Sequence, residues 1–241
     1  MNALAIVTGG SSGIGRAITL GLIASGFDVY FTYRTQEVAA RAIAEQYPGQ
    51  CRAFHLNASL ASIQDFAQQV LNERTPKILI NNIGINDDSL FINQDLTRFL
   101  QIIKINFGVT LAFCKAFIYE MMKQRDGQVI NISSVAANKV KMGNSAYGVS
   151  KAAIERFSKS LALEVARFNL KVNCVSPAFV QTEMLEKFLN NRKQGEFYKN
   201  IPAGKVLKPE EVANVVVALC TGVINTTGSV ITIGNGENIT N

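Results

Sequence analysis

The sequence predicts an α/β fold: a single domain with a mainly parallel, doubly wound sheet flanked by helices. Three observations carry that expectation. Short apolar runs alternate with helical periodicities from one end to the other. No Pro-, Gly- or Ser-rich linker, low-complexity tract or internal repeat divides the 241 residues. The first run, residues 3–8, is apolar and partly β-branched, as a strand buried on both faces requires. Strands are expected near 3–8, 28–33, 51–57, 77–82, 127–133, 171–176 and 229–233. Helices are expected near 14–25, 36–47, 60–73, 96–123, 146–168 and 209–220. Strands that alternate with helices imply right-handed crossovers.

The first strand breaks into Gly9-Gly-Ser-Ser-Gly13-Ile-Gly15, and the helix of 14–25 follows. Glycines let the backbone turn tightly and approach a pyrophosphate, and free N–H groups at a helix start favour its charge. Strand, glycine turn and helix give the context that a dinucleotide motif needs. The spacing is G-x-x-x-G-x-G rather than the commoner G-x-G-x-x-G. The second strand ends at Tyr33-Arg34-Thr35. An acid there would bond the ribose 2′-hydroxyl of NAD, whereas an Arg accepts the 2′-phosphate of NADP. Arg34, with no Asp or Glu beside it, favours NADP. The third strand carries His55, the only histidine, which reads as structural.

Asn81-Asn-Ile-Gly84 follows the fourth strand, Ser134 the fifth and Pro177 the sixth. Ligands in such sheets bind beyond the carboxyl ends of the strands, so these turns converge on one edge with the Gly9 turn. Tyr147 and Lys151 begin the helix of 146–168, four residues apart and on one face. A phenol is a poor acid at neutral pH until a neighbouring cation stabilises its phenolate. The pair therefore reads as a tuned proton donor. Residues 179–200, with Met184, Leu185, Phe188, Phe197 and Tyr198 among polar neighbours, are long for a connection. They read either as a lid over the site or as a short helix packed on the body.

Composition narrows the alternatives. No hydrophobic run reaches the ~18 residues of a membrane span, and no signal peptide opens the chain. Cys51, Cys114, Cys174 and Cys220 are dispersed, without a C-x-x-C pair, so reduced thiols in a cytoplasm fit better than metal or redox sites. No metal site is expected. A single histidine and no G-x-S-x-G elbow speak against Ser-His-Asp hydrolysis. The net charge of +6 favours an anionic partner. Nucleic acid is not expected, because the cations are scattered without an aromatic-basic stripe.

Thr8-Gly9-x-x-x-Gly13-x-Gly15, Asn81-Asn-Ile-Gly84, Asn106, Ser134, Tyr147-x-x-x-Lys151 and Pro177 stand in the order and spacing of the short-chain dehydrogenase/reductase family, which this chain resembles. Ile201-Pro-Ala-Gly204, Pro209-Glu-Glu-Val and Thr227-Gly228 extend the resemblance to its β-ketoacyl-(acyl carrier protein) reductase branch. The resemblance implies a Rossmann-type fold and a catalytic set of Asn106, Ser134, Tyr147 and Lys151. It implies an NADP(H) site on Gly9, Ser11, Ser12, Gly13, Ile14, Gly15, Arg34, Asn57, Ala58, Asn82, Gly84, Tyr147, Lys151, Pro177, Val180 and Thr182. Asn57 and Ala58 would lie near the adenine, and Thr182 at the nicotinamide carboxamide. In that reading Lys151 lowers the phenol's pKa and Asn106 holds a water that links Lys151 to solvent.

The implied activity is NADPH-dependent reduction of a 3-oxoacyl thioester on acyl carrier protein, in fatty acid or related polyketide or polyene synthesis. Acetoacetyl-CoA or another small ketone is the alternative substrate, and a non-catalytic nucleotide-binding subunit the alternative class. The intact set of four favours an enzyme. The carrier would dock on Lys123, Arg125, Arg167 and Lys171, which lie around two helix ends; each is equally explained as a cation favoured by the helix dipole. The family usually forms homotetramers. Three departures stand out: Ile83 replaces the usual Ala, Ala178 replaces the Gly after Pro177, and residues 234–241 lack Asp-Gly-Gly.

Overall fold

All four residues of β1 (Leu4–Val7) are buried, with Leu4 and Ile6 in one core and Ala5 and Val7 in another. The two-residue period of a strand makes such a run face both ways, and helices must then cover both faces. The computed structural model describes residues 2–189 and 194–237. After β1 come α1 (Gly13–Ala24), β2 (Asp28–Tyr33), α2 (Glu37–Gln46), β3 (Cys51–His55), α3 (Leu60–Glu73) and β4 (Ile78–Asn81). Then follow α4 (Leu96–Ile103), α5 (Val109–Gln124), β5 (Gly127–Ile132), α6 (Ser145–Val165) and β6 (Leu170–Pro177). The chain continues through α7 (Glu183–Leu189), α8 (Gln194–Lys199), α9 (Pro209–Cys220) and β7 (Val230–Ile233).

The seven strands lie in the order β3-β2-β1-β4-β5-β6-β7 and every pairing is parallel. The order reverses between β1 and β4, which opens the crevice where doubly wound sheets bind ligands. On one face Ile18 and Leu22 of α1, Ile43 of α2 and Val216 of α9 cover the sheet. On the other, Phe66 of α3, Phe113 and Phe117 of α5 and Leu161 of α6 form the second core. Cys51, Cys114, Cys174 and Cys220 are free and buried, and burial pushes each thiol up to between about 11 and about 12.

Two details differ from the sequence expectation. The helix expected over 96–123 is interrupted by a π turn, Lys104–Gly108. Its backbone bonds skip one residue, and the Thr110 hydroxyl donates to the Asn106 carbonyl at 3.0 Å. Second, the helical stretch Leu96–Gln124 is long and apolar enough, by length and composition, to cross a bilayer. Val109, Phe113, Phe117 and Met121, spaced four apart, instead seat it on the sheet. The segment 179–200, which the sequence reads as a lid or a short helix, contains the helices α7 and α8. Phe188 and Phe197 pack on Phe179 with ring centres 6.0 and 4.8 Å away. Residues 190–193 of that segment, and 238–241 at the C-terminus, lie outside the described residues.

A buried polar rail crosses the sheet near its carboxyl edge. Asn81 Nδ2 donates to Asn131 Oδ1 (2.8 Å), and Asn131 Nδ2 donates to Ser158 Oγ (2.7 Å). Cys174 Sγ donates to the same hydroxyl (3.1 Å), so β4, β5, β6 and α6 share one network. Asn131→Leu removes the central link and leaves a buried amide hydrogen without its acceptor. Urea unfolding should then show a loss of about 1–3 kcal/mol. An unchanged midpoint would mean that the rail contributes nothing to register.

Candidate active site

The glycine turn is held open from three sides. Gly9 and Gly13 have φ of 68° and 50°, the left-handed region that favours glycine. A Cβ on Gly15 would stand 2.0 Å from the Gly9 carbonyl oxygen, so only glycine fits there. The N–H groups of Gly9 and Gly10 donate to Thr32 Oγ1 (3.1 Å) and Thr32 O (2.9 Å), which pins the turn to β2. Ser12 caps α1 in extended backbone without a side-chain bond to the helix. The first-turn N–H groups, with Ile14 among them, thus face the turn. Ser11 is buried beneath it. Thr182 stands over Gly13, since a Cβ on that glycine would meet the Thr182 methyl at 3.2 Å.

Asn82 serves this turn directly. Its Nδ2 donates to Thr8 O (3.0 Å) and Gly9 O (3.3 Å), and its N–H donates to Thr8 Oγ1 (2.9 Å). Arg34 is exposed at the end of β2, with its carbonyl bonded to His55 Nε2 at 3.1 Å. Asn57 Oδ1 accepts from Ser59 N (3.0 Å) and Ser62 Oγ (2.6 Å), which ties it to the start of α3. Ala58 turns the chain there in the left-handed region at φ 59°. Pro177 ends β6, and Val180 is buried in a parallel bridge to Leu207.

The four residues expected to do chemistry come together one layer deeper. Lys151 is 3% exposed; its Nζ donates to Ile132 O at 2.8 Å and lies 5.5 Å from the centre of the Tyr147 ring. Burial pulls the ammonium down to about 8. Around the half-buried Tyr147, burial pushes the phenol up to about 12; the Ser134 hydroxyl opposes that rise and the Asp88 carboxylate adds to it. The phenol is therefore a held proton at neutral pH. The Ser134 hydroxyl eases its ionisation, while the Lys151 ammonium bonds Ile132 O. Ser134 opens the turn Val135–Ala137, and its Oγ accepts from Ala136 N at 3.2 Å.

Asn106 sits in the π turn and is fully buried. Its Oδ1 accepts from Ile85 N (2.7 Å), and its Nδ2 donates to Ile85 O (2.9 Å) and Ser150 Oγ (2.9 Å). Ser150 Oγ in turn donates to the Tyr147 carbonyl (2.7 Å). Both amide hydrogens are committed, which leaves one Oδ1 lone pair for another donor. Gly84 lies between this oxygen and Lys151; a Cβ there would be 3.4 Å from Nζ and 3.5 Å from Oδ1. At the mouth, Asp88 accepts from Asn86 (2.9 Å) and Asn144 (2.8 Å) and pairs with Lys141 (3.3 Å). Lys141 Nζ also lies 3.9 Å from the centre of the Phe188 ring, which joins the body to α7. Sequence reasoning missed Ile132 O, Ser150 and Asp88; of these, only Ser150, adjoining Lys151, carried a signal in its position.

Residues 9–238 match a family model described as enoyl-(acyl carrier protein) reductase. The chain belongs to the short-chain dehydrogenase/reductase family. Among its relatives, the 3-oxoacyl-(acyl-carrier-protein) reductase FabG of Aquifex aeolicus is 36% identical, over 97% of this chain and 96% of that protein. The FabG of Chlamydia trachomatis is 34% identical, over 98% and 97%. A solved structure of a short chain dehydrogenase/reductase family protein superposes with a TM-score of 0.90 at 29% identity, covering 99% and 98% of the two chains.

Membership makes this chain an oxidoreductase of a nicotinamide dinucleotide, and the cradle fits that group. The Gly15 approach admits a backbone turn and nothing larger, and the N-terminus of α1, without a side-chain cap, would suit a pyrophosphate. Gly15→Ala should force the Gly9 carbonyl aside and weaken binding of the nicotinamide dinucleotide by about tenfold or more, as read by quenching of intrinsic tyrosine fluorescence. Unchanged affinity would take the phosphates off this turn.

Proposed function

We propose that the chain reduces 3-oxoacyl groups carried on acyl carrier protein to 3-hydroxyacyl groups, with NADPH as reductant. One observation carries the proposal: the Tyr147 phenol is held protonated beside Ser134 and a desolvated Lys151. A bound nicotinamide supplies the hydride, and the chain's own residues handle the oxygen that gains charge. Tyr147 hydrogen-bonds that oxygen and then protonates it, while Ser134 orients and polarises the carbonyl. Lys151, brought toward the ribose and the phenol, eases loss of the Tyr147 proton. The remaining Oδ1 lone pair of Asn106, across Gly84 from Nζ, suits a water that returns protons from solvent.

The preference for NADPH rests on Arg34. It is exposed at the strand end, and Glu37, the first acid beyond it, pairs with Arg41 at 2.5 Å. The carrier surface is proposed at the joined ends of α5 and α6. Arg125 Nη2 donates to Arg167 O (3.1 Å) and Asn169 Nδ2 to Arg125 O (2.9 Å), so this corner is ordered and basic. Lys123 is paired with Glu120, and Lys171 completes the patch. The segment 179–200 acts as a lid whose Phe179, Phe188 and Phe197 shelter the acyl chain. Tyr119 of α5 and Leu163 of α6 are exposed on the faces through which a homotetramer would pair.

Loss of NADPH absorbance, followed with acetoacetyl-carrier protein, acetoacetyl-CoA and crotonyl-carrier protein, tests the reading. Turnover should be fastest on the carrier-bound 3-oxo substrate and slower with NADH. Fastest turnover of the crotonyl substrate would instead make the chain an enoyl reductase. Tyr147→Phe should lower kcat by roughly a hundredfold or more while NADPH still binds. Comparable turnover in that variant would remove Tyr147 from the chemistry.

A further inference from the structure

Glu155 is a buried carboxylate, 6% exposed, to which the proposed chemistry assigns no part. It lies four residues beyond Lys151 and eight beyond Tyr147, so α6 presents all three on one face. Its two oxygens reach different ends of one short segment. Oε1 accepts from Ser133 Oγ at 2.9 Å, and Oε2 accepts from Asn138 Nδ2 at 2.9 Å. Between those two contacts lie Ser134 and the turn Val135–Ala137 that begins on it. Ser133 Oγ also reaches the Lys151 carbonyl at 3.2 Å, so the same hydroxyl ties the serine segment to the helix that carries the lysine.

We infer that Glu155 is a positioning residue for Ser134, clamping both ends of its turn against α6 so that the hydroxyl meets the substrate carbonyl beside Tyr147. The inference rests on the proposed role of Ser134. A carboxylate suits the task because it offers two acceptors in a fixed plane, one for each end of the segment. Removing either contact frees the turn at one end. A neutral amide can replace it: Oε1 of a Gln accepts from Asn138, its Nε2 donates to Ser133 Oγ, and that hydroxyl donates to Lys151 O. The geometry therefore predicts that shape and bonding, and not the negative charge, are what Glu155 contributes.

Steady-state kinetics on four substitutions, two of them also combined with Ser134→Ala, tests this. Glu155→Leu should lower kcat about ten- to a hundredfold, the loss a misplaced group produces, with the KM for NADPH within about twofold. Glu155→Gln should stay within about threefold of the wild type, which no loss from an empty core would explain. In a Ser134→Ala background, Glu155→Leu should add less than about twofold, because both changes act through one hydroxyl. Asn138→Ala, at an exposed position that leaves the core intact, should lower kcat in the same direction and be masked in the same way; it decides the matter should the Leu variant not fold. Normal turnover in the Leu variant, or a loss that persists in the Ser134→Ala background, overturns the clamp while the role of Ser134 stands. Full turnover of Ser134→Ala itself overturns that role, and the clamp with it.

Discussion

The Lys151 ammonium is buried at the carboxyl end of β5, where its Nζ donates to the carbonyl oxygen of Ile132. A cation taken out of water requires acceptors, and one carbonyl cannot satisfy three N–H bonds. The fold meets this requirement by convergence. β5 supplies the carbonyl at the point where its ladder ends, and α6 brings Tyr147 alongside at the i−4 position. The turn after β4 passes close enough, through Gly84, for Asn106 Oδ1 to face the same space. Burial also holds the phenol protonated, so the same desolvation acts on Lys151 and Tyr147 together, in each case against the charged form.

The π turn is the local distortion that makes this possible. An uninterrupted helix over residues 96–124 would keep its backbone bonded four residues apart and carry Asn106 elsewhere on its surface. The Thr110 hydroxyl bonds the Asn106 carbonyl, and the Asn106 side chain locks onto both polar backbone groups of Ile85. Through Ser150 the same amide braces the start of α6, beneath Tyr147. Asn106 thus fixes both the loop after β4 and the start of α6, which carries Tyr147. From below, Glu155 would do the same for the serine turn.

The sheet was legible because its signal is long and regular: each expected strand is present within a few residues. The glycine turn, Ser134, Tyr147 and Lys151 were legible because each sits where a strand ends or a helix begins. Other features left no such trace. The π turn inserts one residue into a helix that remains apolar throughout, and a 3.6-residue periodicity cannot register it. Helix α7 has seven residues, too few for periodicity to separate it from a loop. The main-chain oxygen of Ile132 has no sequence identity, since every residue carries one. Glu155 did continue the i, i+4 spacing of Tyr147 and Lys151, but only the folded turn shows what its two oxygens hold. The apolar length of 96–124 was missed because the stretch holds scattered polar residues and forms no unbroken apolar run; the packing of Phe113 and Phe117 in the core seats it on the sheet.

The most direct test of this account is the titration of Lys151 itself, followed by NMR in the cofactor-free protein with isotope-labelled lysine and assigned by comparison with Lys151→Met. The account predicts one lysine resonance that titrates near about 8 and that disappears in the substituted protein. If every lysine instead titrates near the ordinary value of about 10.4, Lys151 is hydrated in solution. The desolvated cation on which the site depends would then not exist.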